Sequence, residues 1–324
     1  MHDSNITTAD RLRGMIWGQL VGDATALGSH WIYNLSELEA AYPNGIHGFE
    51  TPNDGHYHAG KSPGDFTHYG DAAVLLLQSI ASCGRFDATH FGNQFIEAMA
   101  PGNYSGYIDH ATRGTIENKQ NFEEQYPGKE FNFQQGADDD QLATASSLAP
   151  VIAAHFQDDA LLEIVEIATR VRQNNDRAVA YMQTHARILL ELLAGRDIHS
   201  ALHRVEEVAA QDNIFGVEIK RKIQSAFSSS AKSVIDATLE LGQSCPLISS
   251  FPSSLHSLIK QHETFDHCIL AILRAGGDNA GRTSMTGAWL GVHLGIHAIP
   301  ESWRSRLKDH DRIHDWVEAI VSIA

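Results

Sequence analysis

A chain of 324 residues, 43% hydrophobic and 20% charged, is long enough to bury a sizeable core and has the balance of an ordinary soluble globular protein. Its 24 Lys and Arg against 40 Asp and Glu give a formal net charge of −16, a field that repels nucleic-acid backbones and anionic membranes, so neither is an expected partner. Cys83, Cys245 and Cys268 lack Cys-x-x-Cys spacing, which argues against a disulfide framework or a thiolate zinc site; residues 1–15 carry no signal-peptide core, and a reducing cytoplasm is expected.

The first periodic segment, Thr8 to Leu27, places Leu12, Met15, Ile16, Gln19, Leu20 and Asp23 on neighbouring helical turns. It runs into a glycine-flanked loop, Gly22-Asp23-Ala24-Thr25-Ala26-Leu27-Gly28-Ser29-His30-Trp31. There an imidazole is suited to proton transfer and an indole to stacking on a base or sugar, and loop packing explains the pair equally well. Residues 44–70 are rich in Gly and His. His56-x-His58 with His68, joined by Asp71 or Asp65, is one candidate transition-metal set, although its spacing matches no standard zinc motif.

A helix is predicted over Asp71 to Cys83, and further helices at about 88–99, 105–119, 139–156, 159–173, 177–194, 198–210, 216–226 and 230–242. Tyr104, Tyr107 and Asp109, at the start of the second of these, read as surface packing. Asp138, Asp139 and Asp140 read as an acidic first turn of the 139–156 helix, which the helix dipole favours. Ser146 and Ser147 lack a Gly-x-Ser-x-Gly setting, so a nucleophile elbow is unsupported.

The late segment Arg274-Ala275-Gly276-Gly277-Asp278-Asn279-Ala280-Gly281-Arg282 lies between a helix over Thr264–Leu273 and another over Ser284–His293. Its Gly-Gly turn delivers Asp278, Asn279 and Arg282 to a buried helix start, where Asp278 is either a cap or a catalytic carboxylate. Arg282 there requires a buried anionic partner, Asp278 or a substrate. Gly287, Gly291 and Gly295 cost about 1 kcal/mol each in a helix interior, for which close helix packing is the usual compensation. With no βαβ alternation and no fixed repeat, the chain is predicted to be one compact all-α domain over residues 1–324.

Taken together, Gly22-Asp23-Ala24 with Gly28, the segment around Thr67, Gly276-Gly277-Asp278, Gly287-Ala288-Trp289-Leu290-Gly291 and Ile299-Pro300-Glu301-Ser302-Trp303 resemble the ADP-ribosylglycohydrolase family over most of the chain, and more closely its branch related to J1 crystallin. The resemblance implies an all-α domain of orthogonally packed helices that hydrolyses N- or O-glycosidic bonds of ADP-ribose with a pair of Mg²⁺ ions held by two acidic motifs. Three carboxylates of those motifs are replaced here, by His68, Tyr69 and Ala280, and Gly281 stands where a threonine is expected. The residues left for a metal are Thr67, Asp71 and Asp278. The expected cofactor is therefore either Mg²⁺ at a degraded site or none, with His68 and Arg282 supplying the lost positive charge.

On this reading Asp71, Asp278 and His68 are the catalytic candidates, Asp71 or Asp278 acting as general base on water. Asp23, His30, Trp31, Tyr69, Asp139, Asn279 and Arg282 are the substrate-side candidates. The expected function is hydrolysis of an ADP-ribose-like or other ribosyl small molecule; the alternative is an inactive ligand-binding or crystallin-like structural protein.

Overall fold

The computed structural model describes residues 6–212 and 214–324. Among them lie 16 α-helices and a 3-10 turn, with isolated β-bridges in place of strands. Helix α1 (Thr8–Ala26) begins in a reciprocal cap: the Thr7 hydroxyl accepts from the Asp10 N–H while the Asp10 carboxylate accepts from the Thr7 N–H. After α2 (Leu35–Ala41) a long loop leads to α3 (His68–Cys83), capped by Thr67 and ended by Gly84 in the left-handed region. Then follow α4 (Ala88–Met99), α5 (His110–Gln125), α6 (Ala149–His155), α7 (Leu161–Arg172), α8 (Asp176–Leu193), α9 (Ile198–Asp212), α10 (Gly216–Ser228) and α11 (Val234–Leu241). The chain closes with α12 (Leu247–Lys260), α13 (Phe265–Arg274), α14 (Asn279–Leu294), α15 (Glu301–Arg304) and α16 (His310–Ile323).

Two helices form the axis. Every residue of α1 from Gly14 to Ala26 is buried, as is every residue of α14 from Asn279 to His293, the pattern of core helices rather than of surface amphipathic ones. Their backbones touch through glycine: a Cβ at Gly291 would overlap the Gly14 carbonyl, one at Gly287 the Gly18 carbonyl, and one at Gly22 the Thr283 carbonyl. The close packing expected of Gly287 and Gly291 is therefore present. Gly295 differs from expectation, because it ends α14 with φ +77° instead of lying inside the helix. Around this axis one apolar cluster runs from Leu12 to Ile320.

Three differences from the predicted elements have local causes. The helix expected from residue 105 begins at His110, because Asp109 is its cap and accepts from the Thr112 N–H at 2.7 Å. The three aspartates at 138–140 do not open a helix: residues 141–147 form turns, Gln173 holding the Thr144 N–H at 2.8 Å and Arg172 the Ala143 carbonyl at 2.9 Å, so regular helix waits for Pro150 near the start of α6. Helix α12, which has no counterpart among the predicted helices, carries an internal Pro252 and serines that look like breakers. Buried, those hydroxyls turn back onto the helix, Ser254 to the Ser250 carbonyl at 2.8 Å and Ser257 to the Ser253 carbonyl at 2.9 Å.

Candidate active site

Three chain junctions meet at one end of the α1–α14 axis: the loop after α1, the start of α3 and the start of α14. Asp23, on the last turns of α1, is buried and accepts from the Thr67 N–H at 2.8 Å, the Thr67 hydroxyl at 2.5 Å and the Gly70 N–H at 3.1 Å. Burial nevertheless outweighs those three donors and pushes its carboxyl up to about 7. Thr67 thus spends its side chain on Asp23 and on the Tyr69 N–H, as the cap of α3.

Gly276 and Gly277, with φ of +65° and +70°, make the turn into α14, and Gly277 bridges Ile32 through Trp31 N–H to Gly277 O and Gly277 N–H to Ile32 O, both 2.8 Å. Asp278 caps the helix by accepting from the Gly281 N–H at 3.1 Å and also receives the Tyr69 hydroxyl at 2.9 Å. The first and second acidic motifs are therefore joined through Tyr69 and Asp278. Burial raises the Asp278 pKa. Asn279 donates to Ser29 and to the Leu273 carbonyl, tying the turn to the end of α1.

Arg282, expected to meet Asp278 or a substrate, is turned into the protein. Its guanidinium is fully buried and donates to the carbonyls of Asp278 (3.1 Å) and Gly276 and to the Thr238 hydroxyl (3.4 Å), so it staples the Gly-Gly turn from behind. Burial lowers its pKa to about 10. Asp71 is also set apart: Lys61 at 2.6 Å and the Tyr104 hydroxyl at 2.6 Å share its Oδ2, and it lines a separate apolar depression with Phe66, Leu75 and Met99. Asp71, expected as a base and metal ligand, is thus engaged through Oδ2 by Lys61 and Tyr104. Asp65 holds a surface turn, accepting from the Ser62 N–H.

The open space is an aromatic cleft of about 340 Å³, lined by Trp31, Tyr33, Tyr57, Tyr69, Tyr107, Asp109, His110, Gln141 and Cys245. Trp31 stands at its centre, edge-on to Tyr57 at 4.9 Å and Tyr107 at 4.7 Å between ring centroids, and held at φ +64°, a rare conformation for a bulky residue. Asp109 and His110 begin α5 at this cleft. Burial pushes the Asp109 carboxyl up, but Arg172, His68 and the Thr112 cap together overcome it and hold the pKa below the ordinary value. His110, 61% exposed in its side chain, places Nδ1 2.8 Å from Asp139 Oδ2. Asp139 is itself buried and fixed by Gln173 Nε2 (2.8 Å) and the Gln141 N–H (3.0 Å).

Of the residues expected at the site, Trp31 and Tyr69 line the cleft; His30, His68, Asp23, Asp278 and Asn279 lie buried behind it; and Asp139 reaches it through His110. Sequence reasoning missed Tyr57, Asp109 and His110. Asp109 falls inside the helix predicted from residue 105 and reads there as surface packing, and the His110–Asp139 pair spans 29 positions, with no local pattern to reveal it. Behind Trp31, His30, His58 and His68 cluster, all buried; burial lowers the pKa of His58 to about 2 and of His68 to about 4, which keeps both imidazoles neutral near pH 7. His56 faces the other way, bonding the His30 carbonyl at 2.7 Å.

A family model described as ADP-ribosylglycohydrolase matches residues 4–324. The chain belongs to the ADP-ribosylglycohydrolase family. Crystallin J1A of Tripedalia cystophora is 25% identical over 319 residues, covering 96% of each chain, and crystallin J1B of the same animal is 24% identical over the same extent. A solved structure described as an ADP-ribosylglycohydrolase-related protein complex superimposes with a TM-score of 0.73 over 98% of each chain at 18% identity, which establishes the fold. In this member of the family the donor set does not fit a pair of Mg²⁺ ions. His68, Tyr69 and Ala280 stand where the resemblance implies carboxylates, and the oxygens of Asp23 and Asp278 already accept from protein donors, whereas Mg²⁺ demands near-octahedral oxygen ligands at about 2.1 Å.

Proposed function

We propose that the protein hydrolyses an N- or O-glycosidic bond in an ADP-ribose-like or other ribosyl small molecule, bound in the aromatic cleft. The observation that carries this reading is the His110–Asp139 pair standing beside the ionised Asp109 at the foot of that cleft. Asp139 accepts from His110 Nδ1–H, which leaves Nε2 unprotonated and able to take a proton from water. The resulting hydroxide adds to the anomeric carbon as the leaving group departs, and the negative charge of Asp109 favours the oxocarbenium-like transition state. Trp31 and Tyr57 offer faces for a base or sugar. Asp278 acts from behind by fixing the Tyr69 hydroxyl, and Asp23 by fixing the start of α3.

The test is release of ADP-ribose from O-linked and N-linked ADP-ribosyl substrates, followed chromatographically. His110→Gln should lower kcat by about 10²–10⁴-fold without changing the melting temperature, and Asp139→Asn should lower it less. Turnover that survives His110→Gln unchanged would remove the base. A second reading, in which the cleft binds without turnover or the chain serves as bulk protein, is favoured by the crystallin relatives and by carboxylates committed to internal hydrogen bonds. Saturable binding with no product from any ribosyl substrate would select it.

A further inference from the structure

His30, His58 and His68 each offer a ring nitrogen such that the three atoms lie within 4.8 Å of one another, and all three side chains are buried. Five of their six ring nitrogens, His30 Nε2 and both nitrogens of His58 and His68, have no hydrogen-bond partner among the described residues. Buried imidazoles normally find partners for their ring nitrogens, and three neighbours that do not, aimed at one space, are what a missing ligand leaves. A cluster formed only by packing would not gather so many unmet donors and acceptors at one point.

The geometry points to a site for one transition-metal ion of the Zn²⁺ class, held by His30, His58 and His68. Neutral imidazole is a preferred donor for such ions and a poor one for Mg²⁺. With Zn–N bonds of 2.0–2.1 Å a tetrahedral site needs ligand atoms roughly 3.4 Å apart, so the rings close by about an ångström on binding. Carboxylates lie near the outer nitrogens, Asp278 Oδ1 3.7 Å from His30 Nδ1 and Asp109 Oδ2 3.7 Å from His68 Nε2; His30 Nδ1, which accepts from the Ala280 N–H at 3.3 Å, turns to Asp278 as a donor when Nε2 takes the metal. His56 ties the ligand backbones together, its Nδ1 accepting from the His58 N–H at 3.1 Å and its Nε2 bonding the His30 carbonyl. Trp31, packed on His30 at 4.2 Å and on His68 at 5.1 Å, and Tyr69, 4.0 Å from His68, wall the site from the cleft. The sequence set of His56, His58 and His68 with Asp71 or Asp65 is thus corrected in membership: His30 replaces His56, and neither carboxylate of that set takes part.

The experiment uses the full chain, stripped with EDTA and titrated separately with Zn²⁺, Co²⁺ and Mg²⁺, with no substrate present, so that it stands or falls apart from the glycosidase reading. One Zn²⁺ or Co²⁺ per chain should bind, Co²⁺ giving the intense visible bands of a four-coordinate site, and Mg²⁺ should not compete. His58→Gln and His68→Gln should each weaken binding by about 100-fold or more, and His56→Gln by about 10–100-fold. His185→Gln, at a buried histidine packed on Trp289, should leave it unchanged. Circular dichroism identifies any variant that does not fold, and the Co²⁺ spectrum of the unaltered chain tests the site without a variant. Absence of a stoichiometric ion, weak octahedral Co²⁺ bands, equal binding of Mg²⁺, or affinity that survives in folded His58→Gln and His68→Gln would overturn the assignment.

Discussion

Asp23 carries a pH signature of its own. Its carboxyl titrates at about 7 when folded and near 3.8 when unfolded, so between those values the folded chain keeps a proton that the unfolded chain has lost. Stability contributed by this group is therefore full below about pH 4 and is lost as pH rises through about 7. The raised pKa of Asp278 acts in the same direction. Buried His58 and His68, neutral in the folded chain, contribute the opposite slope, so the test is a difference: between pH 4 and 8 the melting temperature of Asp23→Asn, lower overall because one amide N–H₂ faces the Thr67 or Gly70 N–H, should gain on that of the parent as pH rises. An identical slope in the two proteins would remove Asp23 as the cause. Arg282 makes a second prediction, now about stability: Arg282→Ala leaves a buried cavity and strips the Gly276 and Asp278 carbonyls of a donor, so urea unfolding should show a loss of about 3 kcal/mol or more. Retained stability with lost ligand binding would restore the expectation drawn from sequence. Asp23, Thr67 and Asp278 were legible because each sits beside a glycine turn or a helix start; the use of Arg282 was not, because its acceptors are backbone carbonyls that no residue type announces.

At the scale of helices, α1 and α14 show how propensity and packing oppose one another. In a helix interior Gly→Ala gains about 1 kcal/mol from propensity alone, whereas at Gly287 the added methyl meets the Gly18 backbone. Overpacking against backbone costs typically 1–3 kcal/mol, so Gly287→Ala should be destabilising in a urea titration, and a stabilised variant would contradict the close contact. Both core helices were legible, α1 from its apolar periodicity and α14 from its spaced glycines. Residues 139–148 were misread because a run of aspartates before apolar residues satisfies every local rule for a helix start, yet Arg172 and Gln173 from the end of α7 hold that backbone in turns. Helix α12 escaped notice for the opposite reason: its serines and Pro252 look like breakers, yet Ser253, Ser254 and Ser257, once buried, each donate to a carbonyl of their own helix.

Over the whole molecule, the chain folds as its family does, its net charge of −16 opposes polyanionic partners, and no helix among the described residues is long and apolar enough to cross a membrane. Most of the fold was legible because helical periodicity and family motifs span the chain. The cleft was less so, since Tyr57, Tyr107, Asp109 and His110 come from a loop and a helix start that only the tertiary structure brings to Trp31. The central claim is that this cleft recognises a ribosyl ligand by stacking and polar contact. Calorimetric titration of ADP-ribose into the parent chain and into Tyr57→Ala tests it most directly, because Tyr57 is 62% exposed and its truncation leaves the core intact. One saturable site in the parent, weakened roughly 5- to 150-fold by the loss of one stacking face worth about 1–3 kcal/mol, is the predicted result. No saturable binding, or equal affinity in the two proteins, would contradict it.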